Sequence, residues 1–397
     1  MKKRILVFCD YYLPGLGGGG GMWAVANIVD RFSDRYDFYI VTGNREGRGS
    51  SDPIKSVVDG AWNQIGNAKV WFAPIPTLNT AAVKRFLGEV TPDIIFLNSA
   101  FSTSSVRFLH VRRRNSLLRV PVILAPCGEL MEGCLEIKKA RKRIFLAYAK
   151  AIGLYRDVIW RASFESEFDS VKKVIGISAD VHIAADLTPK MILPDFTSAG
   201  KPEKRPGHAR IVFLSRIARK KNLHFLFERL LDIRKGKIEI DVVGPIEDKA
   251  YWDECRSIIS KLPANIRVEY KGGVNNDKAL GYLMSAHYFT LPTLTENFGY
   301  VFIEALAAGC PLLISDRTEW NSIEPAGAGW ILPLNEPEAW TRQIVSCVEQ
   351  NQIEYDAMSA ASRLLAVKWL AEPSHEEDMA KLFAYAVAQV KSVAVNG

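Results

Sequence analysis

The sequence predicts an α/β chain made of two Rossmann-like, doubly wound domains that face each other across a cleft. Two observations carry this expectation. First, short β-branched runs alternate with helix-length amphipathic stretches: "RILVF", "DFYIVT", "DIIFL", "PVILA" and "KVIGIS", then "RIVFLS", "IEIDVV", "RVEYKG", "HYFTLP" and "PLLIS" after residue 209. That rhythm implies parallel βαβ units. Second, "PDFTSAGKPEKRPGHA", residues 194–209, is rich in Pro, Gly and charge, has no period, and separates the two series as a linker would. The boundaries that follow are 1–195 for the first domain, 196–209 for the linker and 210–375 for the second domain, with an amphipathic helix over 376–397. A length of 397 residues fits two domains of about 200 each.

The first predicted strand follows "MKKR". Basic residues before an apolar run imitate a secretory signal, but this run stops at Asp10, short of the roughly 7–15 residues such a segment needs. No run approaches the roughly 18 apolar residues of a membrane span. Next comes "YYLPGLGGGGGMW", residues 11–23, in which Gly15 to Gly20 satisfy G-x-G-x-x-G to the letter. A dinucleotide fingerprint sets its first glycine tightly at the strand end and closes the second strand with an acidic residue. Here "DYYLP" intervenes and the second strand ends in Thr42-Gly43-Asn44, which argues against an NAD(P)-dependent dehydrogenase. The run reads instead as a loop whose backbone N–H groups can approach an anion. Six cysteines (9, 127, 134, 255, 310 and 347) are scattered without C-x-x-C pairing, the pattern of a reduced cytosolic protein without disulfide or zinc frameworks.

The net charge of +7 is concentrated in one place. Residues 107–173 hold 15 Lys/Arg against 7 Asp/Glu, a balance of +8, so the rest of the chain is near neutral. Two readings stay open: a solvated helical face, or a surface for anionic lipid headgroups or a phosphate-bearing acceptor. Aromatic residues are not interleaved with these cations, so nucleic acid is not expected as a partner.

The densest chemistry lies in "LPTLTENFGYVFIEALAAGCPLLISD", residues 291–316. A strand ends at Leu291, a loop runs to Gly299, and a helix begins whose free N–H groups suit a phosphate or a sugar hydroxyl. Glu296 in the loop and Glu304 in the helix could accept paired hydroxyls. Alternatively, Glu304 complements the helix dipole and Glu296 is a solvated loop charge. In "FLSRIARKKNLHFL", Arg216 and Lys221 stand five residues apart after a strand, where together they could neutralise a diphosphate or be ordinary surface charges.

Glu296 and Glu304, separated by seven residues, resemble the E-x7-E motif of retaining glycosyltransferases of the GT-B-fold family 4, and "NFGYVFI" and "EALAAGCPLLISD" are similar to that family as well. "SRIARKKN" resembles its G-R-x4-K-[GN] segment, with Ser215 where glycine is commoner. The resemblance implies the catalytic set Glu296, Arg216 and Lys221. It adds Asn297, Phe298, Gly299, Glu304, Gly272 and Gly273 of "YKGGV", and Gly19 or Gly20 to the shell around a UDP- or GDP-linked sugar. It further implies a nucleotide-sugar-binding second domain, a first domain on the acceptor side, and a last helix packed back on that first domain. On the acceptor side, Asn98 stands where relatives place histidine, Cys127 where a subgroup has arginine, and Glu129 is a further contact. The implied reaction is metal-independent, in keeping with the absence of any D-x-D sequence. The expected acceptor is a glycan or a polyprenyl-diphosphate-linked saccharide in surface polysaccharide assembly, and the basic segment 107–173 is what points to a lipid-carried acceptor at the cytoplasmic membrane face. A nucleotide-sugar-binding protein without transfer activity and a GT-B-fold sugar-nucleotide epimerase are the alternatives.

Overall fold

The computed structural model describes residues 2–15, 17–47, 52–73, 78–114, 120–188, 201–274 and 276–395. Residues 194–200 of the expected linker stretch, and 396 and 397 of the expected last helix, lie outside the described residues. The chain divides into two compact units, Met1–Lys190 with Pro373–Gly397, and Met191–Glu372.

The first unit opens with β1 (Lys3–Phe8), α1 (Gly20–Phe32), β2 (Tyr36–Gly43), β3 (Trp62–Ile65), β4 (Ala68–Ala73) and α2 (Thr80–Val90). It continues through β5 (Ile94–Asn98), α3 (Thr103–Arg114), β6 (Val122–Ala125), α4 (Glu132–Glu136), α5 (Lys139–Ala151), β7 (Val158–Ala162), α6 (Glu165–Ile175) and β8 (Asp180–Ile183). Among the described residues the sheet order is β3-β4-β2-β1-β5-β6-β7-β8, with only the β3–β4 pair antiparallel. The second unit holds β9 (His208–Leu214), α7 (Leu223–Leu230), β10 (Lys237–Val243), α8 (Lys249–Ile259), β11 (Ile266–Gly272), α9 (Asn276–Ser285), β12 (Tyr288–Leu291), α10 (Tyr300–Ala307), β13 (Leu312–Ser315), β14 (Gly329–Leu332), α11 (Pro337–Glu349) and α12 (Gln352–Leu370). Its sheet runs β11-β10-β9-β12-β13-β14, and every pair in it is parallel. No helix among the described residues is long and apolar enough to cross a membrane.

Both faces of the first sheet are covered, which is why its strands read as unbroken apolar runs. Ile5 and Val7 of β1 belong to one core layer with Ile40, Ile94, Phe96 and Ile123, while Leu6 and Phe8 enter the other with Val41, Ile95, Leu97 and Leu124. The last helix, α13 (Ser374–Val395), packs into the first of these layers through Met379, Leu382, Phe383 and Ala386. The Phe383 ring lies 5.4 Å from Phe32, 5.2 Å from Tyr36 and 6.5 Å from Phe96.

One predicted strand is displaced. "KVIGIS" is not a strand: its first residues finish α6, and the strand that follows is β8. Glu165 and Glu167 in the first turn and Lys172 and Lys173 in the last complement the helix dipole, and Val174 and Ile175 pack against the core. The neighbouring strand β7, "VIWRA", is fully buried but is interrupted by Arg161, whose charge hides the run. Residues 201–207, read as linker, are anchored in the second unit. The Lys201 ammonium donates to the carbonyls of Leu283 and Ala286 at 2.7 and 2.8 Å. That of Lys204 donates to Val348 and Gln350 at 3.0 and 2.7 Å. Lysines that cap carbonyls carry no periodicity and pass for linker charge.

Phe383→Ala should lower the stability of the first unit by about 3–5 kcal/mol, the usual cost of emptying a buried aromatic site. The check is the urea midpoint of the intact chain, followed by near-ultraviolet circular dichroism.

Candidate functional site

In the second sheet β9 lies between β10 and β12 and is parallel to both, so the chain winds in opposite directions on its two sides. At such a switch point the loops leaving the strand ends diverge, and ligands bind in the crevice they open. Both sequence motifs fall there. Arg216 follows β9, Lys221 closes a 3-10 turn over Arg219–Lys221, and residues 292–299 follow β12. The two loops are laced together. The Leu294 N–H donates to the Lys220 carbonyl at 2.9 Å, and the Thr293 hydroxyl reaches the same oxygen at 3.2 Å. The Ser315 hydroxyl donates to the Thr293 carbonyl at 2.6 Å, and the Glu296 N–H to that of Arg317 at 3.1 Å.

Two ion pairs hold the charged side chains here: Lys221 with Glu296 across the laced loops, and Arg216 with Glu247 of the loop after β10. Lys221 is 8% exposed. Burial lowers its ammonium below the usual lysine range, and Lys220 and Arg216 push the same way against the pull of Glu296. For Glu296, burial pulls upward but is outweighed by Lys221, Lys220 and Arg216, which hold the carboxyl below its ordinary value. Both shift downward for different reasons: Lys221 mainly because it is buried, Glu296 because the charges of Lys221, Lys220 and Arg216 outweigh its burial. The local potential is positive and suits a polyanion.

Gly299 caps α10 in the left-handed region (φ 73°), where a Cβ would stand 2.5 Å from the Phe302 ring. The first turn of α10 therefore starts close to the end of β12 with its N–H groups unblocked by a side chain. The ring of Phe298, expected in the donor shell, is 2% exposed and packs against Tyr300, Trp369 and Trp320 with centroids 4.7, 4.9 and 5.9 Å away. It anchors the loop, and the Trp320 indole N–H adds a 2.6 Å bond to its carbonyl. Asn297 lies half-buried beside it. Gly272 ends β11 with φ 79°, and a Cβ on Gly273 would stand 3.4 Å from the Pro245 nitrogen. Two residues of this site escape sequence reasoning. Glu247 has no spacing that marks it as the partner of Arg216. Gly244, with φ 141°, would place a Cβ 2.0 Å from the Ser215 carbonyl, so only glycine lets the loop after β10 pass under Arg216.

The first sheet has the same switch point at β1, between β2 and β5. Gly19 caps α1 and Gly20 begins it. The Asn98 amide, at the end of β5, donates to the Gly21 carbonyl at 2.9 Å and accepts from the Cys127 thiol at 3.2 Å. Glu129 accepts from the Ser99 hydroxyl at 2.8 Å and the Phe101 N–H at 3.0 Å. Ser99 and Cys127 both hold left-handed backbone (φ 85° and 54°), strain that collects at functional loops. Burial raises the Cys127 thiol well above its ordinary value, with Asp186 adding to it, so it is not a nucleophilic thiolate. Beneath this group is a buried network that sequence reasoning missed. Glu167 accepts from the Gly128 and Ser163 N–H groups, and Arg161 donates to Asp186 at 2.7 Å and the Ala184 carbonyl at 2.7 Å.

Residues 196–364 match the family model described as glycosyl transferases group 1. The chain carries a glycosyl transferases group 1 domain. That domain holds Arg216, Lys221, Gly272, Gly273 and the segment from Glu296 to Glu304. A phosphatidyl-myo-inositol mannosyltransferase of Mycolicibacterium smegmatis is 27% identical over 127 residues, 32% of this chain and 31% of that protein. An uncharacterized 41.2 kDa protein in the cps region of Klebsiella pneumoniae is 22% identical over 229 residues, 56% of this chain and 60% of that protein. The chain thus spans between about a third and 60% of these relatives' lengths. Among solved structures, sucrose-phosphate synthase from Thermosynechococcus elongatus superposes with a TM-score of 0.77 at 14% identity, covering 98% of this chain and 100% of that one. Anabaena Alr3699/HepE in complex with UDP-glucose gives 0.65 at 14% identity, covering 99% and 100%. At such identity the likeness establishes the fold: two Rossmann-like units of the GT-B class.

Within this domain Glu304 stands apart from the ion pairs. Among the described residues nothing hydrogen-bonds to its carboxylate, and burial raises it to about 7 from an ordinary 4.5. An acid raised on folding binds a proton in the native state that the unfolded chain has already lost. Stability therefore falls as pH rises from about 4.5 through about 7, and the loss persists above that. Glu304→Gln should raise the urea midpoint of the ligand-free protein at pH 8 and leave it unchanged at pH 4.5. A variant no more stable than the parent at pH 8 contradicts the assignment.

Proposed function

We propose that the chain is a retaining hexosyltransferase. It would move a sugar from a UDP- or GDP-linked donor to a hydroxyl of a glycan or polyprenyl-diphosphate-linked saccharide, in surface polysaccharide assembly. The observation that carries this is the cation cluster at the switch point of the second sheet, beside the N-terminus of α10. Lys221 pairs with Glu296 and Arg216 with Glu247, while Lys220 and Arg216 also act on the Glu296 carboxyl. The printed description of the Klebsiella relative, a protein in the cps region, supports the polysaccharide context. The UDP-glucose complex of the Anabaena protein supports a nucleotide-sugar donor.

On this reading Arg216, Lys221 and the first N–H groups of α10 take the donor diphosphate. Lys221 has three donor hydrogens, so it can hold a phosphate oxygen without releasing Glu296. Glu296 accepts a hydroxyl of the sugar, and Glu304, unpartnered and poorly solvated, accepts hydroxyls of the ribose. The bond from the anomeric carbon to the diphosphate oxygen breaks, and the bond to the acceptor oxygen forms on the same face. The acceptor proton passes to the departing phosphate oxygen. Charge develops on the leaving group, so fixed cations lower the barrier more than a strong base would, and no metal is required. Asn98, Cys127 and Glu129 serve the acceptor side, with Gly19 or Gly20 toward the diphosphate. The basic segment 107–173 faces the anionic membrane surface that would carry a lipid-linked acceptor, at the cytoplasmic face.

A screen of UDP- and GDP-sugars, read as nucleotide diphosphate release with a lipid-linked saccharide extract as acceptor, tests the reading. Donor binding without transfer to any acceptor overturns it in favour of a binding protein. Lys221→Ala should lower turnover at least about a hundredfold, a loss of about 2.7 kcal/mol of transition-state stabilisation. Its far-ultraviolet circular dichroism should stay unchanged, because Lys220 and Arg216 still face the Glu296 carboxylate.

A further inference from the structure

Helix α5 presents an apolar stripe to solvent between two rows of cations. Ile144 is 72% exposed, Tyr148 46%, and Ile137, just before the helix, 39%. At 100° per residue Ala140, Ile144, Ala147, Tyr148 and Ala151 fall within an arc of about 100°. All five are exposed. The opposite side of the helix packs inward, with Ala149 buried and Phe145 5.7 Å from the Phe101 ring. Arg141 borders the stripe on one side, and Arg143, Lys139 and Lys150 border it on the other. Residues 137–151 contain six Lys/Arg and no Asp/Glu. Arg141 and Arg143 are exposed and form no ion pair among the described residues.

Lys139 pairs with Glu136 at 2.9 Å, whereas Arg141 and Arg143 on the two sides of the stripe do not pair among the described residues. An isolated exposed isoleucine is ordinary, but an apolar stripe flanked on both sides by such cations is not. Two copies of this chain meeting through α5 would set like charges against each other around a small apolar patch. Nucleic acid would leave Ile144 without an apolar partner. An anionic bilayer satisfies both parts, since acyl chains take the apolar side chains while long cationic side chains reach the headgroups.

We propose that α5 lies in the plane of an anionic lipid surface, with Ile144 and Tyr148 inserted and Arg141, Arg143, Lys139 and Lys150 at headgroup level. This deepens the reading of a membrane-borne acceptor and names the helix that would dock the enzyme there.

Flotation with phosphatidylcholine vesicles, with and without phosphatidylglycerol, tests it on the full chain. Binding should require phosphatidylglycerol and weaken with added salt. Ile144→Asp with Tyr148→Asp should lower vesicle affinity at least about tenfold, and the milder Ile144→Ser with Tyr148→Ser should lower it in the same direction. Arg141→Gln with Arg143→Gln should remove the preference for the anionic lipid. The proposal is overturned if the aspartate pair binds as the parent does, or if the parent binds neutral vesicles equally well. It is also overturned if sedimentation equilibrium shows a dimer that these substitutions dissolve while vesicle binding is absent. Nucleotide diphosphate release in solution, without vesicles, should be the same for the aspartate pair and the parent. If no donor releases diphosphate while the aspartate pair still loses vesicle binding, the transferase reading falls and the membrane helix stands.

Discussion

Lys221 and Glu296 sit at the ends of two different strands, largely withdrawn from water, and the second unit is organised around keeping them together. Taking two charges out of solvent costs several kcal/mol for each ion, and only close, fixed geometry offsets that cost. The fixing is done by uncharged neighbours. Thr293 and Leu294 bind the Lys220 carbonyl, Ser315 binds the Thr293 carbonyl, and Phe298 is wedged among Tyr300, Trp320 and Trp369. The residues between the two glutamates are thus partly a device for rigidity. Even so, the pair does not neutralise its surroundings. Lys220 and Arg216 leave the cluster positive before any anion arrives, which on the proposed reading is the preorganisation that electrostatic catalysis requires.

The two units use one topological device with different chemistry. Each has a strand, β1 or β9, from which the chain winds both ways, and each gathers its polar residues beyond that strand's end. In the second unit the gathered side chains are three cations, Arg216, Lys220 and Lys221, with the paired carboxylates Glu296 and Glu247. In the first they are an amide, a thiol and a carboxylate already bonded to loop N–H and hydroxyl groups, with the Arg161–Asp186 pair neutralised in the layer beneath. The second set suits a diphosphate. The first offers an amide and a carboxylate, groups of the kind that neutral hydroxyls bond to.

How much of this was legible depends on where each determinant lies along the chain. Arg216, Lys221, Glu296 and Glu304 are readable because a strand-to-helix loop places its chemistry within a few residues of the strand, so spacing survives in sequence. Glu247 meets Arg216 from another loop, 31 positions away, and Glu167 reaches Gly128 from 39 positions away. Neither contact leaves a local pattern. Arg161 misleads in the opposite sense. A charge inside an apolar run argues against a strand, yet here it is buried because Asp186 and the Ala184 carbonyl receive it. The end of helix α6 imitates a strand where its β-branched residues cluster, since periodicity over six residues cannot separate the last turn of a helix from a buried strand.

The glycine run after β1 shows why a motif match alone is weak. Its members answer separate steric demands. The Gly17 N–H donates to the Glu46 carbonyl at 2.8 Å, and a Cβ on Gly17 would stand 2.8 Å from the Gly47 Cα, so this glycine exists to let the loops after β1 and β2 touch. Gly19 holds φ 73° so that α1 can begin at Gly20. Gly21 gives its carbonyl to Asn98, across the switch point. A run built by three independent constraints will contain many glycine spacings by chance, the dinucleotide fingerprint among them. What distinguishes the readings is the chemistry beyond the adjacent strand ends. β2 closes in Thr42 and Gly43 rather than an acidic residue, and β5 delivers an asparagine to the loop, a partner for backbone rather than for a nicotinamide ribose.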